Sequence, residues 1–264
     1  MSESTSAKHV NMIRTGPRST TPVILIHPVG LDLTFWDRQI EALHDRHDVI
    51  ADDLPGHGDT PGTVDDWTFD RAAALLADIV RSSGAKRAQI VGISVGGMIA
   101  QTFALAYPEL LHTLVLVSTA SAFPDVVREA MRDRAEAARR EGMAGVLKAN
   151  TERWFTPETV KSRPDILDRV RKALFARDPQ VHAAMWEMIA GMNLTDRLHE
   201  ISCPTQILVG ELDPSCPPAT ARVMHEQIAG SRMTVLPDTS HMTILERPQL
   251  ISEHLASFLD PSSR

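Results

Sequence analysis

The chain contains six short runs of apolar, mostly β-branched residues that do not alternate with polar ones. The runs are PVILIH (22–27), DVIADDL (48–54), AQIVGI (88–93), TLVLVS (113–118), TQILVG (205–210) and RMTVLP (232–237). A strand that is apolar on both faces is buried on both faces, which is typical of a parallel sheet covered by helices. The runs therefore predict the strands of one mostly parallel sheet.

Segments with helical periodicity lie between these runs. They are FWDRQIEALHD, TFDRAAALLADIVRSSG, GGMIAQTFALAYP, PPATARVMHEQIAG and PQLISEHLASFL. Glycine or proline ends several of them, for example at Gly84, Pro108 and Gly230. Strands and helices in alternation predict an α/β fold with helices on both faces of the sheet. The 264 residues, 43% of them hydrophobic, are enough for one large core domain with an inserted subdomain.

One long region breaks the alternation of strands and helices. Between the run that ends near Ser118 and the run that begins near Thr205, the sequence has helical periodicity and contains no convincing strand. We therefore predict a helical cap at 122–199, inserted into a core domain that 1–121 and 200–264 form together. Because core strands flank the region, we expect an excursion from one domain and not a separately folding unit.

A serine bracketed by glycines follows the run AQIVGI directly. Gly92 lies two positions before Ser94, Gly96 lies two positions after it, and a helix-patterned segment comes next. The pattern G-x-S-x-G between a strand and a helix is the nucleophile elbow, a sharp turn that holds the serine hydroxyl above the sheet edge. Side chains in place of the glycines would collide with the neighbouring strand and helix. Ser94 is the predicted nucleophile; the alternative is that the glycines merely pack a helix onto a strand.

A nucleophilic serine needs a histidine base and an acid that orients the histidine. With a nucleophile elbow, these partners follow the serine in the order acid, then histidine, after later strands. Asp213 comes just after the run TQILVG, and His241 comes just after RMTVLP. We predict these two residues for the roles. Glu211 is a rival acid in the same loop, and a turn aspartate and a helix-capping histidine are the structural alternatives.

Two backbone N–H groups should stabilise the oxyanion of the intermediate. One is the N–H of Val95, at the start of the helix after the serine; the other should come from the loop IHPVGLDLTFWD after the first central strand. Pro28 has no N–H, so Val29 is the predicted second donor. His27 is predicted to hydrogen-bond this loop into shape. The glycine-rich DLPGHGDT (53–60) lacks the lysine and helix start of a phosphate-binding loop, so we interpret it as a structural turn.

Composition and charge argue against several classes of function. The net charge is −7 and the basic residues are dispersed, which argues against nucleic-acid binding. Residues 1–20 contain no apolar core of a signal peptide, and no apolar run is long enough to span a membrane. Cys203 and Cys216 fit neither a disulfide framework nor a zinc site. We expect a soluble cytoplasmic protein with a small-molecule substrate and no metal or cofactor; homo-oligomerisation is left open.

These motifs resemble the α/β-hydrolase fold family from Pro22 to Leu259. HPVG, DLPGHGDT, GISVGG, GELDPSCP and DTSH occur in the family's order. LDLTFWDRQIEAL, EGMAGVLKANTERWFT and SHMTILERP resemble most the bacterial 3-oxoadipate enol-lactonase group, whose members carry a helical cap with a similar RWFT stretch. The resemblance implies an α/β-hydrolase fold and a small carboxylated lactone as substrate. It makes Arg153 a candidate for binding the substrate carboxylate.

Aromatic residues are further candidates for a substrate pocket between cap and core. We expect Trp36, Trp154 and Trp186 to line it together with Arg153. The alternative is that the tryptophans pack the core and that Arg153 is a solvated helix residue.

The function expected from these residues is hydrolysis of an ester or lactone through an acyl-enzyme. The same apparatus serves rival enzymes: a carbon–carbon bond hydrolase acting on a vinylogous keto acid, a perhydrolase that uses peroxide, and a cofactor-free oxygenase. A non-catalytic small-molecule receptor on the same scaffold is a further alternative. An intact triad argues against the receptor.

Overall fold

The computed structural model describes residues 9–18 and 20–260 of the chain. Within these ranges, seven strands form one sheet in the order β1-β3-β2-β4-β5-β6-β7. The strands are β1 (Met12–Thr15), β2 (Val23–Ile26), β3 (Val49–Asp52), β4 (Ala88–Ile93), β5 (Leu111–Val117), β6 (Thr205–Gly210) and β7 (Arg232–Leu236). Strand β1 is antiparallel to β3, and every other neighbouring pair is parallel. The predicted mostly parallel α/β sheet is confirmed.

Six of these strands were predicted from the sequence, and the seventh, β1, was not. All residues of β2, β3, β4 and β6 are buried, as expected for strands covered on both faces. Strand β1 has only four residues, lies at the edge of the sheet and is partly exposed. Its sequence MIRT therefore lacks the continuous apolar signal that identified the other strands.

Eleven α-helices lie in the described part of the chain. They are α1 (Asp37–Leu43), α2 (Phe69–Ser82), α3 (Val95–Ala106), α4 (Asp125–Glu141), α5 (Met143–Trp154), α6 (Pro157–Ser162), α7 (Pro164–Phe175), α8 (Pro179–Ala190), α9 (Pro218–Gln227), α10 (Thr243–Glu246) and α11 (Pro248–Leu259). Helix α3 packs on β4 and β5, α2 packs on α3, and α1 packs on α11. The sheet is thereby covered by helices that follow its strands.

Helices α4 to α8 all lie between β5 and β6, in the region that lacked predicted strands. Helix α4 packs along α8 and also contacts α5. Gly142, which has a φ of +68°, separates α4 from α5. The two ends of the insertion lie side by side, because the Leu194 N–H donates to the Ser121 carbonyl at 2.8 Å and Ala122 bridges Asn193.

The buried apolar residues form one continuous cluster that includes the sheet and the insertion. Leu25 and Ile90 in the sheet belong to it, and so do Met131 and Trp154 in the insertion. The insertion is therefore packed onto the seven-stranded sheet through a shared core. Among the helices that the structure describes, none combines the length and the apolar character needed to cross a membrane.

Candidate active site

Ser94 occupies the turn between β4 and α3, with a φ of +55° and a ψ of −121°. A non-glycine residue holds this conformation only where the surroundings enforce it. The Ser94 N–H donates to the Val117 carbonyl at 3.0 Å, and the Thr119 hydroxyl donates to the Ser94 carbonyl at 2.7 Å. A Cβ on Gly92 would lie 2.3 Å from the Gly96 carbonyl oxygen, and a Cβ on Gly96 would lie 2.3 Å from that of Ile26. Both glycines are needed for this turn to form.

Asp213 follows β6, and its buried carboxylate is held by the backbone of its own loop. Its Oδ1 accepts hydrogen bonds from the N–H groups of Ser215 at 2.8 Å and Cys216 at 2.9 Å. These two bonds direct Oδ2 to His241 Nδ1 at 2.8 Å. The rival acid Glu211 is exposed, and its carboxylate accepts from the Asp238 N–H at 3.2 Å. Asp213, and not Glu211, contacts the histidine.

His241 follows β7 and lies between the acid and the serine. Its Nε2 is 3.0 Å from Ser94 Oγ, and its side chain is 3% exposed. Because the Asp213 carboxylate accepts from Nδ1, that nitrogen carries the proton, and Nε2 is free to accept the Ser94 hydroxyl proton. The structure thus brings together Ser94, His241 and Asp213 in a chain of two hydrogen bonds, which is the geometry of an activated nucleophile.

The loop after β2 lies beside Ser94 and is held by two buried histidines. His27 Nδ1 donates to the Pro28 carbonyl at 2.8 Å, and its Nε2 accepts from the Leu54 N–H at 2.9 Å. His57 Nε2 accepts from the Gly30 N–H at 3.1 Å. Burial lowers the pKa of both histidines, so both are neutral and can accept these bonds. They fix the loop that places Val29 in the lining of the cavity described below.

The turn DLPGHGDT is folded around the carboxylate of Asp53. This carboxylate accepts from the N–H groups of Leu33 at 2.8 Å and Asp59 at 3.0 Å. Gly58 has a φ of +50°, and a Cβ there would lie 1.9 Å from Asp53 Oδ2. The glycine is therefore required by a close approach to a side chain of the same turn.

A cavity of about 280 Å³ opens above Ser94. On the sheet side it is lined by Ser94, His241, Val29, Met98 and Pro214 to Cys216. On the side of the insertion its lining residues include Phe123, Val126, Val127, Ala130, Met131, Arg134, Arg153, Trp154, Trp186 and Ile189. We call the first set the floor and the second set the wall. Most wall residues are apolar, and the wall also carries two arginines.

Of the four predicted substrate-binding residues, Arg153, Trp154 and Trp186 lie in the wall, and Trp36 does not. Trp36 is completely buried in the core. It ends a single helical turn, Leu33–Trp36, that packs against β2, β3 and α10. Trp36 therefore packs in the core and does not line the cavity, so the expectation that it lines the pocket was wrong.

Arg134 is a cavity residue that the sequence did not reveal. It belongs to α4, whose sequence DVVREAMRDRAEAARRE is so rich in charge that each of its arginines resembles a solvated one. The guanidinium carbons of Arg134 and Arg153 lie 5.1 and 5.6 Å from the ring centre of Trp186. Burial lowers the pKa of Arg134, and burial together with the nearby Arg134 charge lowers the pKa of Arg153 to about 10. Both groups stay protonated at neutral pH.

Neither wall arginine has a carboxylate partner within residues 9–18 and 20–260. Arg153 donates to the Ala149 carbonyl at 3.1 Å and to Asn150 Oδ1 at 2.9 Å. Other arginines of this chain are ion-paired, as Arg14 is with Asp48 at 2.7 Å. Two partly buried cations without counter-charges favour an anionic ligand in the cavity.

Comparisons with known proteins agree with this arrangement. A model of the alpha/beta hydrolase family matches residues 23–254. The chain is 26% identical to 3-oxoadipate enol-lactonase 2 of Acinetobacter baylyi over 240 residues, which are 91% of this chain and 89% of the relative. The solved enol-lactonase from Burkholderia xenovorans LB400 superposes with a TM-score of 0.88 at 26% identity, and the match covers 95% of this chain and 96% of that one.

A thermophilic esterase from Thermogutta terrifontis, solved with malate bound, is 30% identical and has a TM-score of 0.88; the match covers 95% of this chain and 92% of the esterase. The predicted resemblance, including the similarity to enol-lactonases, is confirmed, and so is the expectation of a hydrolase. The family model spans most of the chain, from the first central strand to the last helix. The chain therefore belongs to the alpha/beta hydrolase family.

Proposed function

We propose that this protein hydrolyses a carboxylic ester or lactone of a small molecule through a covalent acyl-enzyme on Ser94. One observation carries the proposal: Ser94 Oγ, His241 Nε2, His241 Nδ1 and Asp213 Oδ2 are joined by hydrogen bonds of 3.0 and 2.8 Å at the floor of a cavity. A serine hydroxyl becomes nucleophilic near neutral pH when a neutral imidazole can take its proton.

In the first half-reaction, His241 Nε2 takes the Ser94 proton while Oγ attacks the carbonyl carbon. Asp213 keeps the imidazole oriented and stabilises its positive charge. The N–H groups of Val29 and Val95 are the proposed donors to the oxyanion, a contribution that is worth about a hundredfold in turnover or more for each donor. The ester C–O bond then breaks, and His241 gives its proton to the departing oxygen.

In the second half-reaction, water attacks the acyl-enzyme. His241 takes a proton from the water, the oxyanion forms again, and the bond to Ser94 Oγ breaks as the serine recovers its proton. With a lactone, the departing alcohol is part of the same product molecule. The products of an ester are a carboxylic acid and an alcohol, and one water is consumed.

The wall supports a substrate that carries a carboxylate. Arg134 and Arg153 present two cations to an otherwise mostly apolar surface, and a substrate carboxylate supplies the counter-charge that the described residues do not. The cavity volume of about 280 Å³ favours a small molecule. The malate bound to the related esterase is itself a dicarboxylate, which is consistent with this substrate class.

Ser94→Ala tests the nucleophile. We expect turnover of p-nitrophenyl acetate to fall at least about a thousandfold, because the nucleophile is lost while the fold remains. Labelling with a fluorophosphonate, followed by mass spectrometry, should add one adduct to Ser94 in the wild type and none to the variant. Ser82→Ala, at the exposed end of α2, is the matched control and should keep both properties. Wild-type turnover in Ser94→Ala would refute the proposed function.

A substrate panel separates ester and lactone hydrolysis from the rival reactions of the same triad. Carboxylated lactones, half-esters of dicarboxylic acids and vinylogous keto acids should be compared at equal concentration. We expect the esters or lactones to have the highest kcat/KM. A higher value for carbon–carbon cleavage would replace the proposed reaction while keeping Ser94 as the nucleophile.

A further inference from the structure

Glu246, the last residue of α10, uses both of its carboxylate oxygens to connect the wall with the catalytic loop. Its Oε1 accepts from the N–H of Thr156 at 2.7 Å and from the Thr156 hydroxyl at 2.9 Å. Its Oε2 accepts from the N–H of Ser240 at 2.6 Å. Hydrogen bonds to a charged acceptor are about twice as strong as neutral ones. One side chain therefore holds together two segments that lie far apart in the sequence.

The two connected segments carry the residues of the proposed reaction. Ser240 immediately precedes His241, and Thr156 follows the wall residues Arg153 and Trp154. Two further hydrogen bonds run beside the Glu246 connection. The N–H of Met242, the residue after His241, donates to the Trp154 carbonyl at 2.9 Å, and the Ser240 hydroxyl donates to the Arg153 carbonyl at 3.4 Å.

The position of His241 in the fold explains why its loop needs this support. Strand β7 is the last strand of the sheet, so its outer side has no neighbouring strand, and only one of its five residues is buried. The loop after β7 contains Asp238 with a φ of +49°. On the inner side the Leu212 N–H donates to the Thr239 carbonyl at 2.9 Å. Because no strand covers the outer side of β7, the bonds through Glu246 provide a second attachment, which ties the loop to the insertion.

We propose that Glu246 is a positioning residue for the reaction. It fixes the position of the backbone at His241 relative to the wall segment that carries Arg153 and Trp154. The inference rests on the proposed function of Ser94 and His241. Glu246 does not touch the cavity. It acts through the loop of the histidine, so that a substrate held by the wall presents its carbonyl to a correctly aligned serine and imidazole. A misplacement of about 1 Å in such a site lowers turnover by about a hundredfold.

Glu246→Gln is the central test. Glutamine has the same shape but only one acceptor oxygen, and its amide nitrogen faces a backbone N–H, so one side of the connection is lost. We expect kcat for p-nitrophenyl acetate to fall about tenfold and KM to change less than about twofold, because alignment and not binding of this small neutral ester is disturbed. Glu246→Ala, which loses all three bonds, should lower kcat by about a hundredfold.

A double variant separates positioning from a general loss of structure. In an Asp213→Asn background the imidazole is already wrongly oriented, so adding Glu246→Gln should lower kcat by less than about threefold. A full tenfold effect in that background, or a kcat of Glu246→Gln equal to that of the wild type, would overturn the proposal. Thermal unfolding verifies that the variants are folded at the assay temperature. Glu253→Gln, an exposed acid on α11, is the control and should match the wild type.

Ser94→Ala in the same assay distinguishes a failure of the proposed function from a failure of the role proposed for Glu246. If that variant keeps its activity, the proposed function fails. If it is inactive and Glu246→Gln is fully active, only the role of Glu246 fails.

Discussion

The floor and the wall of the cavity differ in how their polar groups are satisfied. On the floor, Ser94, His241 and Asp213 bond to one another, and Asp213 Oδ1 is also bonded by backbone N–H groups. On the wall, Arg134 and Arg153 stack over Trp186 and have no carboxylate partner among the described residues. A site whose polar groups are hydrogen-bonded to one another can be preorganised for chemistry. Partly buried cations without a counter-charge favour the binding of an anionic ligand. The difference supports the proposal that the sheet supplies the chemistry and the insertion recognises the substrate.

The floor is built on the carboxyl ends of parallel strands. Ser94, Asp213 and His241 follow β4, β6 and β7, and these ends meet at one edge of the sheet. The wall is built from helices of the insertion, which pack onto the sheet through the shared apolar core and through a few polar contacts. His182 in α8 contributes to this packing, because its ring lies against Gly30 and its Nε2 accepts from Trp186 Nε1 at 3.0 Å.

The largest effect is expected from breaking the floor. Asp213→Asn keeps the size of the side chain but presents a neutral amide to the imidazole, which then loses its orientation and charge stabilisation. We expect kcat to fall by about a thousandfold to ten thousandfold with little change in KM. Steady-state kinetics with a p-nitrophenyl ester measure this. Glu211→Gln in the same loop is the control; if it had the larger effect, the acid would be misassigned.

A smaller effect, confined to charged substrates, is expected from the wall. Arg134→Ala should lower kcat/KM for monoethyl adipate by about tenfold to a hundredfold, because a charge-assisted contact is lost. The ethyl ester of adipamic acid, in which a neutral amide replaces the carboxylate, should be affected much less. The ratio of the two kcat/KM values is therefore the quantity to measure.

Arg132→Ala supplies the control for this prediction, because Arg132 lies on the same helix and is exposed. It should leave the ratio unchanged. Equal losses on the acid and the amide in Arg134→Ala would contradict a recognition role and would indicate a structural one.

The smallest effect concerns how acid changes the stability contributed by His182, which lies on α8 with the wall residue Trp186. Burial, together with the Arg177 charge, lowers the pKa of His182 to about 4. In the unfolded chain His182 has an ordinary pKa near 6.5, so between about pH 6.5 and pH 4 the unfolded state binds a proton that the folded state does not. The free energy of unfolding therefore falls as the pH falls from about 6.5 to about 4. The contribution of His182 is at most about 1.4 kcal/mol per pH unit.

His182→Gln keeps an acceptor for Trp186 and removes the titrating group. Its free energy of unfolding, measured with denaturant at several pH values, should fall less steeply with acid than that of the wild type. Other buried histidines, such as His27 and His57, also have a lowered pKa and keep part of the slope in both proteins. Identical slopes would show that His182 does not titrate as described.

The strands and the order of the triad could be predicted because both depend on local sequence. A continuous apolar run identifies strand β4, and the flanking glycines identify Ser94. Asp213 and His241 were found because they come directly after strands. Strand β1 could not be found in this way, since four half-exposed residues at a sheet edge carry little apolar signal.

The residues that were missed or misplaced depend on packing between distant segments. Arg134 resembles its exposed neighbours in sequence, and only the packing of α4 along α8 turns it toward Trp186. Trp36 resembles a pocket residue, and only the packing of its helical turn against the sheet and α10 buries it in the core. Glu246 lies in the segment SHMTILERP, but the sequence gave no sign of its contact with Thr156, which lies 90 positions away.

The amino-acid order alone determined a parallel sheet with a serine, an acid and a histidine at the ends of its strands. Apolar runs are driven into the core because their burial is favourable, and parallel strands bring their carboxyl ends to one edge of the sheet. Tertiary structure decided which side chains of the insertion face that edge and how the insertion is tied to the histidine. Those contacts join residues whose neighbours in sequence are uninformative, because the direction of a side chain on a packed helix is set by the surface that the helix meets.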